Sequence, residues 1–489
     1  MKFLRLIVSG TLFVSASCAS PPSGSHDGAA LDVLDGSGGG DSTTGSDIVA
    51  HDAVIDAAFD SHVPDASTQD SNVVDAPPTD VPAIRDVSAA DATPTDGAAC
   101  TPMPYVDLHA SERASCTFAM GSHASATLGD GTAARAAIQH LIILLHENRS
   151  LDHYFGHTGH GIEGLPATFT NPDSTGTAVH PYHYASGCAC DIPHGVGQIT
   201  SEWDHGAMDG FIRTDGMGSF GYYLDSDHPF YTWLVTTFAT SDRYFCAALD
   251  DTGHNRHFLW HGQGTYAGPA IFGELDAAHV TWTNFYDRTM PLYNDLNGST
   301  TEATHLRLDP GLSIFYAALR DGTGTALPQL SIIDQSADEH PAADIHRGEA
   351  ATRELVQNVL ASPLWPHIAL IYTYDEGGGF LDHVPPPAAC VATTMASEAG
   401  FDHLGVRVPI AVVSPWSIPG YVSHTPHSHS SITRLIEMLY DLPALTQRDA
   451  NSDALLDMFD FHCPQFLTPP TAIPMGGATG CPATCASGP

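Results

Sequence analysis

Four short polar clusters, each following an apolar run, carry the side chains best suited to chemistry in this 489-residue chain. Ile138–Leu145 runs into His146, Glu147 and Asn148. Phe238–Leu249 breaks at Asp250, Asp251 and Thr252, with Asn255 and Arg256 one helical turn on. Leu327–Asp334 leads to Asp338, Glu339 and His340. His367–Tyr374 ends in Asp375 and Glu376, with Asp382 and His383 beyond. Glu147, Asn148, Asp375 and Glu376 offer the hard oxygens that a divalent cation takes. Such a cation offsets the charge of an anionic phosphoryl group and lowers the pKa of a hydroxyl bound to it. Thr252, opening a helix beside that cation, then has the setting of a nucleophile, with the helix amides facing the phosphate. Each feature alone has a bland reading. An acidic pair at a strand end is usually a solvated turn, and a threonine before a helix is usually a cap. With 29 histidines in the chain, any one of them is ordinarily structural. Recurrence of such groups at successive strand ends favours the functional reading.

The elements that must position these groups follow from the pattern. Ile138–Leu145 is nearly uninterrupted apolar residue, the pattern of a strand buried on both faces of a parallel sheet. Leu327–Asp334, His367–Tyr374 and Val408–Val413 read as further strands, and Phe238–Leu249 as another. Glu349–Ala361 reads as an amphipathic helix through Leu355, Val356, Val359 and Leu360. Ser430–Tyr440 reads as a helix capped by Ser430, with Ile432, Leu435, Ile436 and Leu439 as its buried stripe. Residues 100–137 read as a covering segment and residues 157–235 as long loops over the strand ends. Strands alternating with helices predict an α/β fold, and ligands in such folds sit at the carboxyl ends of the strands.

The formal net charge is −39, with only 17 Lys+Arg, which excludes a duplex nucleic-acid partner. Residues 1–18 read as an export signal: Lys2 and Arg5, the apolar run Leu6–Val14, then Ser15-Ala16-Ser17-Cys18. Cys18 after small residues resembles a lipoprotein box, although Ser15 stands where Leu is usual. The expected location is therefore outside the cytoplasm, secreted or lipid-anchored through Cys18 at a bacterial surface. Residues 19–99 are rich in Asp, Ala, Thr, Ser and Pro, with Arg85 the single basic residue, and read as a disordered tether. A folded domain is expected over residues 100–489. Ten cysteines in an exported chain predict disulfides. Cys246, inside an apolar run, is the expected unpaired thiol. Cys481 and Cys485 are placed to pair locally, and Cys188 and Cys190 to bridge elsewhere.

HENRSLDHYFG (His146–Gly156) closely resembles the QENRSFDHYFG signature of the bacterial phosphoesterase family that includes phosphatidylcholine-type phospholipases C and secreted acid phosphatases. Pro193–Phe211, Gly221–Phe258, Asp338–Ala350, Tyr374–Pro387 and Val406–Glu437 resemble further family blocks, in the family's order. The resemblance covers roughly residues 135–460. It implies an alkaline-phosphatase-like three-layer α/β/α sandwich with a mostly parallel sheet. It also implies one divalent metal ion held by Asn148, Asp375 and Glu376, with Glu147 in or next to the shell. Thr252 would be the nucleophile, forming a phospho-enzyme. His194 and His340 would contact the phosphate or assist proton transfer, and His383 would stand at the rim. The substrate would be a phosphate ester, a phospholipid among the possibilities.

Some positions depart from the family's pattern. Where THPNR is usual, this chain has Thr252-Gly253-His254-Asn255-Arg256, so Gly253 replaces a histidine. Where DEHGG is usual, Gly377 replaces another. Thr200 and Ala207 replace a histidine and a lysine of the PHSW…KMDGF block. These losses put substrate choice in doubt and support a second expectation, a catalytically decayed surface-binding protein on the same scaffold. A sulfatase on this fold would want a cysteine or serine nucleophile, which Thr252 is not. The chain ends soon after the resembling region, which tilts the expectation towards compact esterases and phosphatases.

Overall fold

His140–His146 (β1) lies at the centre of an eight-stranded sheet and is buried at every position. The seven other strands are Ala239–Ser241 (β2), Trp282–Tyr286 (β3), Leu306–Leu308 (β4), Leu330–Asp334 (β5), Ile368–Tyr374 (β6), Ile410–Val413 (β7) and Val422–Ser423 (β8). Their order across the sheet is β8-β2-β7-β6-β1-β5-β3-β4. Five pairings are parallel and two, β6 with β7 and β7 with β2, are antiparallel. The sheet is thus mostly parallel, as expected, with β7 inverted. The structure, a computed structural model, describes residues 105–485, apart from 130, 266–269, 288–301, 336, 338, 394–399 and 482–484. The signal, the tether, Cys18, Cys100 and Asp338 lie outside the described residues.

Two groups of helices cover the sheet. Pro229–Thr237 (α4), Ser313–Asp321 (α6) and Ile345–Leu360 (α7) pack together, while Thr252–His261 (α5) and Thr132–Ala137 (α1) pack on His429–Tyr440 (α8). β1, β5 and β6 are buried along their whole length, which requires cover on both faces. The result is a three-layer α/β/α sandwich. Two further helices matter for the site: Leu151–Phe155 (α2), directly after β1, and Val196–Trp203 (α3).

The register fixes where the chemistry collects. His146 pairs with Tyr374 across β1 and β6, so Glu147-Asn148 and Asp375-Glu376 leave the sheet side by side. On the other side of β1, Leu144 pairs with Ile333, and the chain after β5 carries Glu339 and His340 to the same edge.

Several local expectations are corrected. Phe238–Leu249 is not one strand: it yields β2 and a separate short strand, Tyr244–Phe245, which pairs with His427–Ser428. Between them Asp242 and Arg243 turn the chain, and the Arg243 amide donates to the Ser241 hydroxyl. The Ser430 cap is also wrong. Helix α8 begins at His429 and is capped by Ser428 in a reciprocal box with Ser431, while Ser430 is buried inside the first turn. Residues 157–235 hold α3 and α4 as well as loops. The cysteines pair as Cys116–Cys390, Cys188–Cys481 and Cys190–Cys485, so the tail pair does not close locally. Cys463 is also disulfide-bonded, and Cys246 is a free, buried thiol, as expected.

Candidate active site

Thr252 is the first residue of α5, but it is not the cap. Asp251 caps the helix, accepting from the Gly253 and His254 amides at 3.1 and 3.4 Å. The Thr252 hydroxyl instead donates to Asn148 Oδ1 at 3.3 Å. Asn148 is fully buried and held in the left-handed region, φ +67°, which asparagine tolerates better than most side chains. Its backbone amide donates to Asp375 Oδ1 at 3.3 Å, and its side-chain amide lies 3.0 Å from His194 Nε2. Gly378 (φ +64°) faces it so closely that a β-carbon there would stand 2.5 Å from the Asn148 carbonyl oxygen. Glycine is required at 378 on both counts.

Arg256, one turn into α5, binds the acidic groups together. Its Nε donates to Asp375 Oδ2 at 2.9 Å and its Nη2 to Glu147 Oε1 at 2.7 Å, with Asp334 3.7 Å from Nη1. Burial works against the guanidinium, but Asp375, Glu147 and Asp334 together hold it charged. Glu147 is therefore an ion-pair partner of Arg256 beside the cluster. Asp375 is pushed up by burial, opposed chiefly by Arg256. Glu376 is pushed well above the usual carboxylate range, by burial first and by the neighbouring Asp375 next. Its Oε2 accepts from the Gly378 amide at 2.5 Å, and its buried Oε1 has no hydrogen-bond partner among the described residues.

That donor set suits a divalent cation. The carboxylates of Asp375 and Glu376, the amide oxygen of Asn148 and the Thr252 hydroxyl are all hard oxygens. A fully buried carboxylate with an unpaired oxygen calls for a compensating positive charge.

His194 and His340 reach this cluster. His194 Nε2 lies 3.6 Å from Glu376 Oε1, its Nδ1 lies 2.5 Å from the Ile192 carbonyl, and the two imidazoles are 5.9 Å apart. Together with Asp191 they gather ligand atoms within 4.8 Å of one another. His383 keeps other company. Its Nδ1 lies 2.6 Å from Asp152 Oδ2, beside Arg407 (3.2 Å) and Glu163 (3.5 Å), and none of these contacts reaches Thr252. Asp382 and Asp152 flank the fully buried Arg407 in that second network.

The departures also have a structural setting. A β-carbon at Gly377 would stand 2.3 Å from Val406 Cγ2, so Val406 closes the space a histidine would need there. His254, next to Gly253, faces Asp250 and Asp251 at 3.3 and 3.4 Å, and these carboxylates raise its pKa to about 10.

Two features were not assigned a role from the sequence. Arg256 stands one turn after Thr252, a spacing that puts both on one helix face. Glu339 is buried behind His340 at φ +71°, ringed by the hydroxyls of Tyr154 (2.5 Å), Tyr374 (2.6 Å) and Tyr231. Burial raises it to about 7, although the three tyrosines and Arg149 oppose the shift. Tyrosines scattered over more than two hundred residues carry no sequence signal for such a cage.

A sequence model of the Phosphoesterase family matches residues 138–443. A non-hemolytic phospholipase C of Burkholderia pseudomallei is 27% identical over 390 residues, covering 62% of this chain and 55% of that protein. A non-hemolytic phospholipase C of Pseudomonas aeruginosa is 29% identical over 373 residues, covering 62% of this chain and 54% of that protein. Phospholipase C B of Mycobacterium tuberculosis is 28% identical over 411 residues, covering 67% of this chain and 78% of that one. The chain spans about half the length of the first two relatives. With the family match extending from β1 to the end of α8, this chain belongs to the Phosphoesterase family.

Proposed function

We propose that this protein is an exported, metal-dependent phosphoesterase that cleaves phosphate esters through Thr252. The observation that carries the reading is the Thr252–Asn148 contact at the edge where Asp375 and Glu376 emerge beside β1. The phospholipase C names of the relatives support a phosphate ester, a phospholipid included, as the substrate class.

In this reading Asn148, Asp375 and Glu376 hold one divalent cation, with Glu147 beside them on Arg256. When bound, the cation supplies Lewis acidity and favours ionisation of the Thr252 hydroxyl. Thr252 Oγ attacks phosphorus, the ester P–O bond breaks, and the leaving oxygen takes a proton. His194 and His340 stand where they can orient the phosphoryl oxygens or deliver that proton. Water then attacks the phosphothreonine, the Oγ–P bond breaks, and Thr252 regains its proton. Arg256 keeps Glu147 and Asp375 in place throughout. His383 acts at a distance, through the Asp152–Arg407 network.

The test compares p-nitrophenyl phosphate with p-nitrophenylphosphorylcholine, with and without chelator, for the full chain and its Thr252→Ala variant. Cleavage lost with both chelator and the substitution supports the reading, and the preferred substrate separates phosphatase from phospholipase C. No cleavage by the full chain, with no metal bound, would favour a binding scaffold.

A further inference from the structure

Three residues of the candidate site each have a chain neighbour in one buried polar cage. Arg149 follows Asn148, Tyr374 precedes Asp375, and Glu339 precedes His340. The Glu339 carboxylate is the centre of the cage. It accepts from the hydroxyls of Tyr154 on α2 (2.5 Å), Tyr374 at the end of β6 (2.6 Å) and Tyr231 on α4. Its backbone carbonyl accepts from Arg149 Nη2 at 2.7 Å. All five residues are buried. Two features carry a conformational cost that this arrangement explains. Glu339 stands at φ +71°, a region that a glutamate seldom adopts and keeps only where its surroundings over-determine it. Gly348 lies inside α7, where glycine weakens a helix, yet a β-carbon there would overlap the Glu339 side chain.

We infer that Glu339 is a positioning residue for His340: the cage fixes the peptide between them and so aims the imidazole at the candidate cluster. The inference rests on the reading of His340 as a group that orients the phosphoryl oxygens or delivers the leaving-group proton. The peptide joining Glu339 to His340 contains the carbonyl that Arg149 holds, so its plane cannot turn without breaking that bond. The carboxylate, gripped from α2, α4 and β6, keeps the Glu339 backbone from drifting. The remaining freedom is that of the His340 ring, and its Nδ1 lies 2.5 Å from the Pro341 carbonyl. The ring then stands 5.9 Å from that of His194. Because Arg149 and Tyr374 adjoin Asn148 and Asp375, the cage refers His340 to the same two strand ends that carry the candidate metal ligands.

The test is a double-mutant cycle on kcat with p-nitrophenyl phosphate, using Glu339→Ala, His340→Ala and the two together. Glu339→Ala should lower kcat about 10- to 100-fold with KM within about threefold of wild type, since a catalytic group displaced by about 1 Å loses rate of that order. In the His340→Ala background the same substitution should change kcat by less than about twofold. Glu339→Gln, which keeps the side-chain length and one acceptor oxygen, should stay within about threefold of wild type. A crystal structure of Glu339→Ala should show the His340 ring moved relative to His194, with β1 and β6 still in register. An equal loss of kcat in both backgrounds overturns the inference, as does a His340 ring that keeps its place in Glu339→Ala. Where Glu339→Ala shows no cooperative thermal transition, Tyr231→Phe replaces it in both measurements. That variant removes one donor and keeps the ring, and its loss of about three- to tenfold should likewise vanish without His340. Wild type that cleaves no phosphate ester would instead sink the phosphoesterase reading, and the position of His340 in the variant crystal would then decide the inference.

Discussion

Arg256 and Asp375, 119 residues apart in sequence, meet in a 2.9 Å hydrogen bond between the guanidinium Nε and carboxylate Oδ2. This contact ties the helix that begins with Thr252 to the end of β6. A second arm of the same guanidinium ties it to the end of β1 through Glu147. Breaking a buried pair by removing one partner leaves charge uncompensated and costs about 3–5 kcal/mol. Arg256→Ala should therefore lose stability of that order in urea unfolding and lose Thr252-dependent turnover as well. Arg256→Lys should recover little, because an ammonium cannot serve both carboxylates with one planar fork. Wild-type stability in Arg256→Ala would mean the cluster is held by something else.

Glu339 makes a pH prediction with a definite sign. Its folded pKa, about 7, lies above the ordinary carboxylate value. The folded protein thus binds the proton more tightly than the unfolded chain does, and stability falls as pH rises between the two values. The window runs from about pH 4.5 to about pH 7, and at about 1.4 kcal/mol per unit the loss is roughly 3 kcal/mol. Glu339→Gln, which cannot ionise, should lack this part of the pH dependence. An identical stability–pH profile in the two proteins would remove Glu339 as its source.

The tail is strapped to the segment that carries His194. Cys188–Cys481 and Cys190–Cys485 close loops spanning 293 and 295 residues, and His194 stands shortly after Cys190 in sequence. Replacing both pairs by serine should cost about 2–4 kcal/mol per disulfide and lower kcat by loosening His194. Thermal melts and steady-state kinetics on the quadruple variant test this. An unchanged kcat would show that the loop keeps its place without the straps.

Removal of divalent ions should destabilise the fold, since a ligand that binds only the native state stabilises it by mass action, about 2.7 kcal/mol at a hundredfold excess over Kd. Dialysis against chelator should lower Tm, and restoring Mn²⁺ should raise it again. Asn148→Ala should abolish that response. A Tm indifferent to chelator and metal in the wild type would count against the cation.

Much of this was readable in the chain before folding. The apolar runs ending in Glu147-Asn148 and Asp375-Glu376 are strands β1 and β6 because an uninterrupted apolar stretch suits a strand covered on both faces. Their adjacency was not readable, since strand order depends on long-range pairing that the pattern does not encode. The inversion of β7 has the same cause. The Ser430 cap fails because Ser428, Ser430 and Ser431 lie within four residues and offer competing caps, and reciprocal bonding with Ser431 selects Ser428. Cys188 and Cys190 each bridge elsewhere, as expected, but a local Cys481–Cys485 pair does not form, because the tail runs back over Cys188 and Cys190. The motif places His383 at the rim of the site, and in the structure Asp152 on α2 and Arg407 before β7 hold it in a network of its own.

The most direct test of the central claim is to trap a phosphorylated form of the protein during turnover. Full-length protein with divalent metal is mixed with p-nitrophenyl phosphate, quenched in acid, digested and mapped by mass spectrometry. The account predicts one phosphoryl group on the peptide containing Thr252, absent in Thr252→Ala and after chelation. Sustained turnover with no phosphorylated Thr252, or turnover retained by Thr252→Ala, would contradict it.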